Sequence, residues 1–233
     1  MALVFFGRVK IKWKRRGNML YTPQRFLKVL LGLFIFSVGI VLTINASLGV
    51  SPWDVFHQGV SRTVGITIGQ ANIIMGFLII LLDIYLGQAI GWATVMNMLS
   101  IGTFIDILML NNLIPVAQTP AVGLIMIIAG VAIQAIGFSV YISQGIGAGP
   151  RDGLMVVLTK RTGKSVRLIK SVIEATAVTI GIILGGSFGM GTIIMAFFGG
   201  IIFQATFRMI RFKVEKVEHR FIQDDLKALK NRA

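Results

Sequence analysis

The hexapeptide Gly49-Val50-Ser51-Pro52-Trp53-Asp54 returns 98 positions later as Gly147-Ala148-Gly149-Pro150-Arg151-Asp152. The same register runs without a gap through the apolar segments on either side. Before the motif, Gly32 meets Gly130, Ile35 meets Ile133, Gly39 meets Gly137 and Ile44 meets Ile142; after it, Gly65 meets Gly163, Gly91 meets Gly189, Thr94 meets Thr192 and Gly102 meets Gly200. Glycine pairs alone arise by chance in apolar helices, but a Pro-x-Asp pair and a Gly-x-x-Thr pair in one register do not. The chain reads as two copies of one unit, and any architecture it adopts must use that unit twice.

The solvent for that unit is lipid. Of the 233 residues, 55% are hydrophobic and 14% charged, and the mean hydropathy is +0.82, leaving too little polar surface for a soluble domain of this length. Six segments, 26–47, 69–86, 91–110, 121–143, 166–184 and 191–209, are apolar enough to cross about 30 Å of hydrocarbon as helices. Two shorter ones, 52–63 and 150–162, begin with proline and are followed by Gly65 and Gly163, which suits a helix start and a helix end. At 1.5 Å per residue they are too short to span, and they are either interfacial helices or re-entrant ones dipping into a protein-lined cavity.

Charge gives the orientation. The net charge is +14, yet 22 of the 23 Lys and Arg residues fall in three clusters, from Arg8 to Lys28, from Arg151 to Lys170 and from Arg208 to Arg232, with Arg62 apart. Six crossings put all three on one side, which the positive-inside rule makes the cytoplasmic side of the membrane. The clusters then face anionic lipid and not nucleic acid. The expected organisation is a basic cytoplasmic arm (1–25), carrying Trp13 as an interfacial anchor, a first three-helix repeat (26–120), a second (121–210), and an amphipathic cytoplasmic helical tail (211–233). The apolar run near the start is too short, and placed wrongly relative to its charges, for a cleavable signal. Each repeat holds three crossings, an odd number, so the second copy sits inverted: an all-α polytopic fold with two inverted-topology halves. Such pairs of halves place a working site at their interface and suit alternating access.

The stretches SLGVSPWDVFHQGVSRTVGITIGQ and GAGPRDGLMVVLTKRTGKSVRLIKSVIE, with the matched GWAT and GMGT turns, resemble the YczE/YitT/YyaS-type bacterial integral membrane proteins, most of all the YczE-like branch, over positions 26 to 210. The resemblance implies a polytopic cytoplasmic-membrane protein of bacterial type. It brings no catalytic residues with it, and implies transport only as an expectation.

The candidate substrate-binding residues are Gly49, Pro52 and Asp54 in the first motif and Gly147, Pro150, Arg151 and Asp152 in the second. Each aspartate falls in the first turn of its short helix, where it either caps backbone N–H groups or helps hold a ligand offered to the helix N-terminus. On opposite faces of an inverted pair, the two motifs would act as matched gates. Arg151 either neutralises Asp152 or obeys the positive-inside rule. Within the spans, Glu174 is a substrate-orienting or proton-coupling candidate, or simply the partner of Lys170 one turn before it. Asp83 and Asp106, close to their helix ends, are coupling candidates, and Asn72, Asn97 and Gln134 add polarity between helices.

Enzymatic motifs are missing. Cysteine is absent, the two histidines, His57 and His219, stand far apart, and no Walker lysine or zinc motif occurs, so neither a catalytic residue, a metal nor a cofactor is expected. The sequence therefore points to a secondary transporter or permease for a small molecule. The competing reading is a non-transporting accessory protein that scaffolds or regulates a partner through its basic surface. As an assembly, a homodimer and a complex with another membrane protein are both open.

Overall fold

The computed structural model describes residues 14–15 and 22–225; most of the basic arm, Trp13 included, and the last residues of the tail lie outside them. Eight helices follow in order: α1 (Pro23–Asn45), α2 (Pro52–Val64), α3 (Ile68–Tyr85), α4 (Trp92–Leu110), α5 (Pro120–Ile142), α6 (Pro150–Thr162), α7 (Val166–Ile183) and α8 (Met190–Met209). Proline opens α1, α2, α5 and α6, where its missing N–H costs nothing. A capping box opens α3: the Gln70 N–H donates to the Thr67 hydroxyl and the Thr67 N–H donates back to the Gln70 side-chain oxygen, both at 3.0 Å.

Five helices, α1, α3, α4, α5 and α8, are long and apolar enough to cross a membrane. Residues such as Leu110, Phe197 and Leu27 lie exposed on their outward faces, as lipid-facing side chains do. The remaining expected span, α7, is a helix of 18 residues, but Arg167, Lys170 and Glu174 in its first half set it apart from the five. Its burial is one-sided, with Ile169, Ala177 and Gly181 inward and Val172, Ile180 and Ile183 outward.

At the centre, α1 lies along α5 in close contact. A Cβ on Gly39 would stand 2.5 Å from the Gly130 carbonyl oxygen, and one on Gly32 would stand 2.9 Å from that of Gly137. As numbers rise along α1 they fall along α5, so the two run antiparallel, with backbones as near as small residues allow. Around this pair, α4 packs on α1 and α8 on α5, while α2 packs on α7 and α3 on α6. Each contact joins elements whose counterparts 98 positions away are joined in the same way.

The correspondence extends to single hydrogen bonds. The Ala93 N–H donates to the Ile146 carbonyl at 2.9 Å, and the Gly191 N–H to the Leu48 carbonyl at 2.6 Å. Gly91 and Gly189 each donate to the hydroxyl of the threonine three residues on, both at 3.2 Å. Gly49 (φ +95°) and Gly147 (φ +125°) hold left-handed conformations in which glycine avoids the strain of a side chain. Gly49 lies against the start of α8 and Gly147 against the start of α4, with less than 3 Å left for an added Cβ.

The tail departs from the expected amphipathic helix. After Met209 comes a 3-10 turn (Val214–Lys216), then a two-residue strand (Glu218–His219) pairing in parallel with Lys14–Arg15, and a helical turn begins at 222. Tertiary contacts override the helical pattern: Phe212 stacks edge-on to Phe207 and Phe221 is buried. The Arg220 N–H bonds to the Gly145 carbonyl at 2.8 Å and the Ile222 N–H to that of Ile90 at 2.9 Å. The tail thereby fastens to the loop after α5 and the loop before α4. Arg161 donates to the Leu86 carbonyl at the same end.

Gly39→Val should lower the thermal midpoint in detergent, costing about 1–3 kcal/mol through overpacking, while Phe197→Leu on the outward face should leave it unchanged. The tail has a pH signature of its own. Burial lowers His219 from 6.5 to about 4, so between these values the detached tail binds more protons than the docked one. Docking is then complete above pH 6.5 and weakens as the pH falls toward 4. Amide hydrogen exchange across 217–225 should rise over that interval in the wild type, and His219→Phe should flatten the rise.

Candidate functional site

Both short helices begin at one place. The N-terminal turns of α2 and α6 line a single cavity of about 140 Å³, walled by α1 and α5 and completed by α3, α4, α7 and α8. The two motifs are therefore not gates on opposite faces: they meet. The chain leaves α1, turns back inward through 46–51, and starts α2 at the cavity; 143–149 does the same for α6. Each short helix starts beside the middle of α1 and α5, with its irregular lead-in packed against protein.

Of the candidates, Pro52, Asp54, Pro150, Arg151, Asp152 and Glu174 line this cavity. Gly49 and Gly147 do not; they form the tight turns behind it, against α8 and α4. Asp106 is engaged elsewhere, accepting hydrogen bonds from the Thr67 hydroxyl at 2.5 Å and the Gly69 N–H at 2.9 Å and so holding the start of α3. Asp83 is fully buried beside α6, in a separate small cavity. Asn72, Asn97 and Gln134 all reach the central cavity.

The site's chemistry is ordered by one arginine. The Arg151 guanidinium lies 4.6 Å from the centre of the Trp53 ring, in the fields of Asp54 and Asp152, and 3.1 Å from His57 Nε2. Arginine only donates, so Nε2 accepts and the ring proton sits on Nδ1. That nitrogen faces Asp54 Oδ1 at 3.5 Å. Asp54 is fixed in turn by the Ser51 hydroxyl, which donates to Oδ2 at 2.5 Å, while the Asp54 N–H returns to Ser51 at 3.4 Å. A carboxylate, a neutral imidazole and a guanidinium thus form a chain from one motif to the other, almost out of solvent: Asp54 is 3% exposed and His57 0%. On the α7 wall, Lys170 pairs with Glu174 at 3.3 Å, the i,i+4 partnership that the spacing allows.

The starts of α2 and α6 also bring two positive helix-dipole ends to the cavity, beside three carboxylates, two cations and three amides. Such a site can hold a small polar or charged molecule by hydrogen bonds. His57, Trp53, Ser51 and Tyr141 had no place in the sequence reading of the site. The signal for His57 was its spacing of three from Asp54, which puts both on one helix face.

A second, wider cleft of about 930 Å³ opens at the tail end, lined by Arg25, Lys28, Arg211, Lys213 and Lys216 with Glu218. It is larger than the central cavity but shares none of its residues.

Fold and site define a polytopic helical membrane protein with a polar cavity between two short helices. Residues 23–208 match the model of a family described as "Family of unknown function (DUF6198)", and the chain belongs to that family. It is 38% identical over 175 residues to "Uncharacterized membrane protein YczE" of Bacillus subtilis strain 168, covering 73% of this chain and 80% of that one. It is 30% identical over 182 residues to an "Uncharacterized protein" of Haemophilus influenzae, covering 77% and 83%, and 24% identical to "Uncharacterized protein YyaS" of Bacillus subtilis over 182 residues, covering 74% and 87%. The YczE-like resemblance is thus confirmed. No solved structure matches the chain.

Arg151→Ala should destabilise the protein by about 3–5 kcal/mol, because it strands the buried Asp54 carboxylate. Trp53→Phe, which keeps the charge and weakens only the stacking, should cost no more than about 2 kcal/mol. Chemical unfolding in a mixed micelle, followed by far-UV circular dichroism, measures both.

Proposed function

We propose that this protein is a secondary transporter or permease for a small polar molecule, with its binding site in the cavity between α2 and α6. The observation that carries the reading is the meeting of both Pro-x-Asp motifs, one from each half, at one polar cavity. Opposed short helices whose N-termini face a shared site are a device of alternating-access proteins. Arg151 with Asp54 and Asp152 suits a ligand carrying both a negative and a positive or hydrogen-bonding group.

In this reading α7 is the sixth span, and the halves 26–120 and 121–210 are inverted repeats. Support comes from the antiparallel α1–α5 pair and from the matched bonds at Leu48–Gly191 and Ile146–Ala93. The charges of α7 then lie partly on the central cavity, where Lys170 and Glu174 face polar neighbours and not lipid. Termini and basic clusters face the cytoplasm of a bacterial cell, and the wide basic cleft receives anionic phospholipid headgroups. The protein is not an enzyme in this reading, and any driving force comes from an ion gradient.

The same basic cleft favours a second reading, an accessory protein that docks an acidic partner. The two readings separate on one pair of variants. A thermal-shift screen of the detergent-purified protein against a broad metabolite and ion panel should find a stabilising compound whose effect is lost in Asp54→Asn, Asp152→Asn, although that double variant remains folded. Uptake of the same compound into proteoliposomes should be lost with it. If the double variant keeps function in cells and removal of residues 212–233 abolishes it, the accessory reading stands instead.

A further inference from the structure

Asp83 has no structural reason to be where it is. Its carboxylate is fully buried at the end of α3, and neither oxygen has a hydrogen-bond partner among the described residues. Desolvation of an unpaired carboxylate is among the costliest events in a protein interior, more so within hydrocarbon. Packing does not require it either. The equivalent residue 98 positions on is Gly181, whose backbone lies directly on Val55 and Phe56 at the matching α2–α7 contact. The fold makes the same helix pairing without a carboxylate there. In the α3–α6 contact Asp83 lies against Gly153, where an added Cβ would fall 2.6 Å from Oδ2.

The surroundings give the residue a direction. Its small cavity, about 10 Å³, near the size of one water molecule, is walled by Gln88 from the loop, Thr94 from α4, Gly149 and Gly153 at α6, and Phe221 from the tail. The charged group acting on it is Asp152, a like charge; Arg161 of α6 is held by the Leu86 carbonyl. Gly149 also lines the central cavity, so one turn of backbone separates Asp83 from the site. On the other side Phe221, held by the Arg220 and Ile222 backbone bonds, closes the cavity toward the charged end.

We propose that Asp83 is a proton-binding site, carried as the neutral acid and exchanging its proton with the Asp152 carboxylate across the Gly149 turn. The transfer balances simply: the Asp83 O–H breaks, an O–H forms on Asp152, and the negative charge moves the opposite way, out of the central cavity and onto Asp83. Like-charged and acting on each other, the two carboxylates favour holding one proton between them. Phe221 limits exchange with the charged end of the molecule. The use of this proton to drive uptake rests on the transport reading above; the protonation itself does not.

The experiment is infrared spectroscopy of the protein in lipid nanodiscs at neutral pH, reading the C=O stretch of protonated carboxyl groups. The wild type should show a band that is lost in Asp83→Asn and displaced, not lost, in Asp83→Glu; the second variant carries the test if the first does not fold. On transfer to deuterium oxide the band should downshift slowly, and faster in Phe221→Ala. A spectrum unchanged by either Asp83 substitution would overturn the proposal. Because the readout needs no transport, a protein that moves nothing yet shows the band refutes the transport reading and keeps Asp83. Gradient-driven uptake without the band does the reverse.

Discussion

A backbone that breaks inside hydrocarbon must have its N–H and C=O groups satisfied by protein. Between its packed helices this chain breaks twice, at 46–51 and at 143–149, and each break is completed by the other half. The Leu48 carbonyl accepts from Gly191 at the start of α8, and that of Ile146 accepts from Ala93 at the start of α4. The Val50 N–H likewise reaches the Ser187 carbonyl at 3.3 Å. These exchanges demand that the glycine turns lie almost on one another, which explains the missing side chains at 49, 91, 147 and 189. Only with the breaks secured can α2 and α6 start at the centre, and only then does a polar cavity exist.

On this shared backbone the side chains diverge. Positions equivalent by 98 residues face the cavity in pairs: Phe36 and Gln134, Ile40 and Phe138, Trp53 and Arg151, Asn72 and Lys170. In nearly every pair the second half supplies the polar or charged member, or the larger one. His57 corresponds to Met155, and the Ser51 cap to Gly149, so the polar chain from Ser51 through Asp54 and His57 reaches Arg151 with no mirrored counterpart. The scaffold is nearly symmetric and the chemistry of the cavity is not, so its two ends differ in charge and in hydrogen bonding.

The architecture was legible because it is written in spacing. Hydrophobic run lengths located the helices to within a few residues, Pro52, Pro150, Gly65 and Gly163 bounded the short ones, and the offset of 98 predicted which turns would behave alike. The site was half legible. Asp54, Asp152, Arg151 and Glu174 stood out as charges in an apolar chain, but no spacing says that two motifs 98 residues apart share a cavity. That follows from the antiparallel α1–α5 contact. Nor could hydropathy separate Asp106, satisfied by Thr67 and Gly69, from Asp83, which nothing satisfies; partners come from tertiary packing. The tail misled for the same reason. Its charge pattern suits a helix, and the bonds to Gly145 and Ile90 pull it into another shape.

The exchanged turns also set an order of assembly. A chain inserts from its N-terminus, so α1 and the break at 46–51 reach the bilayer well before the residue that completes them. The Leu48 carbonyl has no lasting partner until Gly191 arrives, more than half the chain later, whereas Ile146 finds Ala93 already in place. The first half therefore waits on the second for this bond, while the second finds its partner already made.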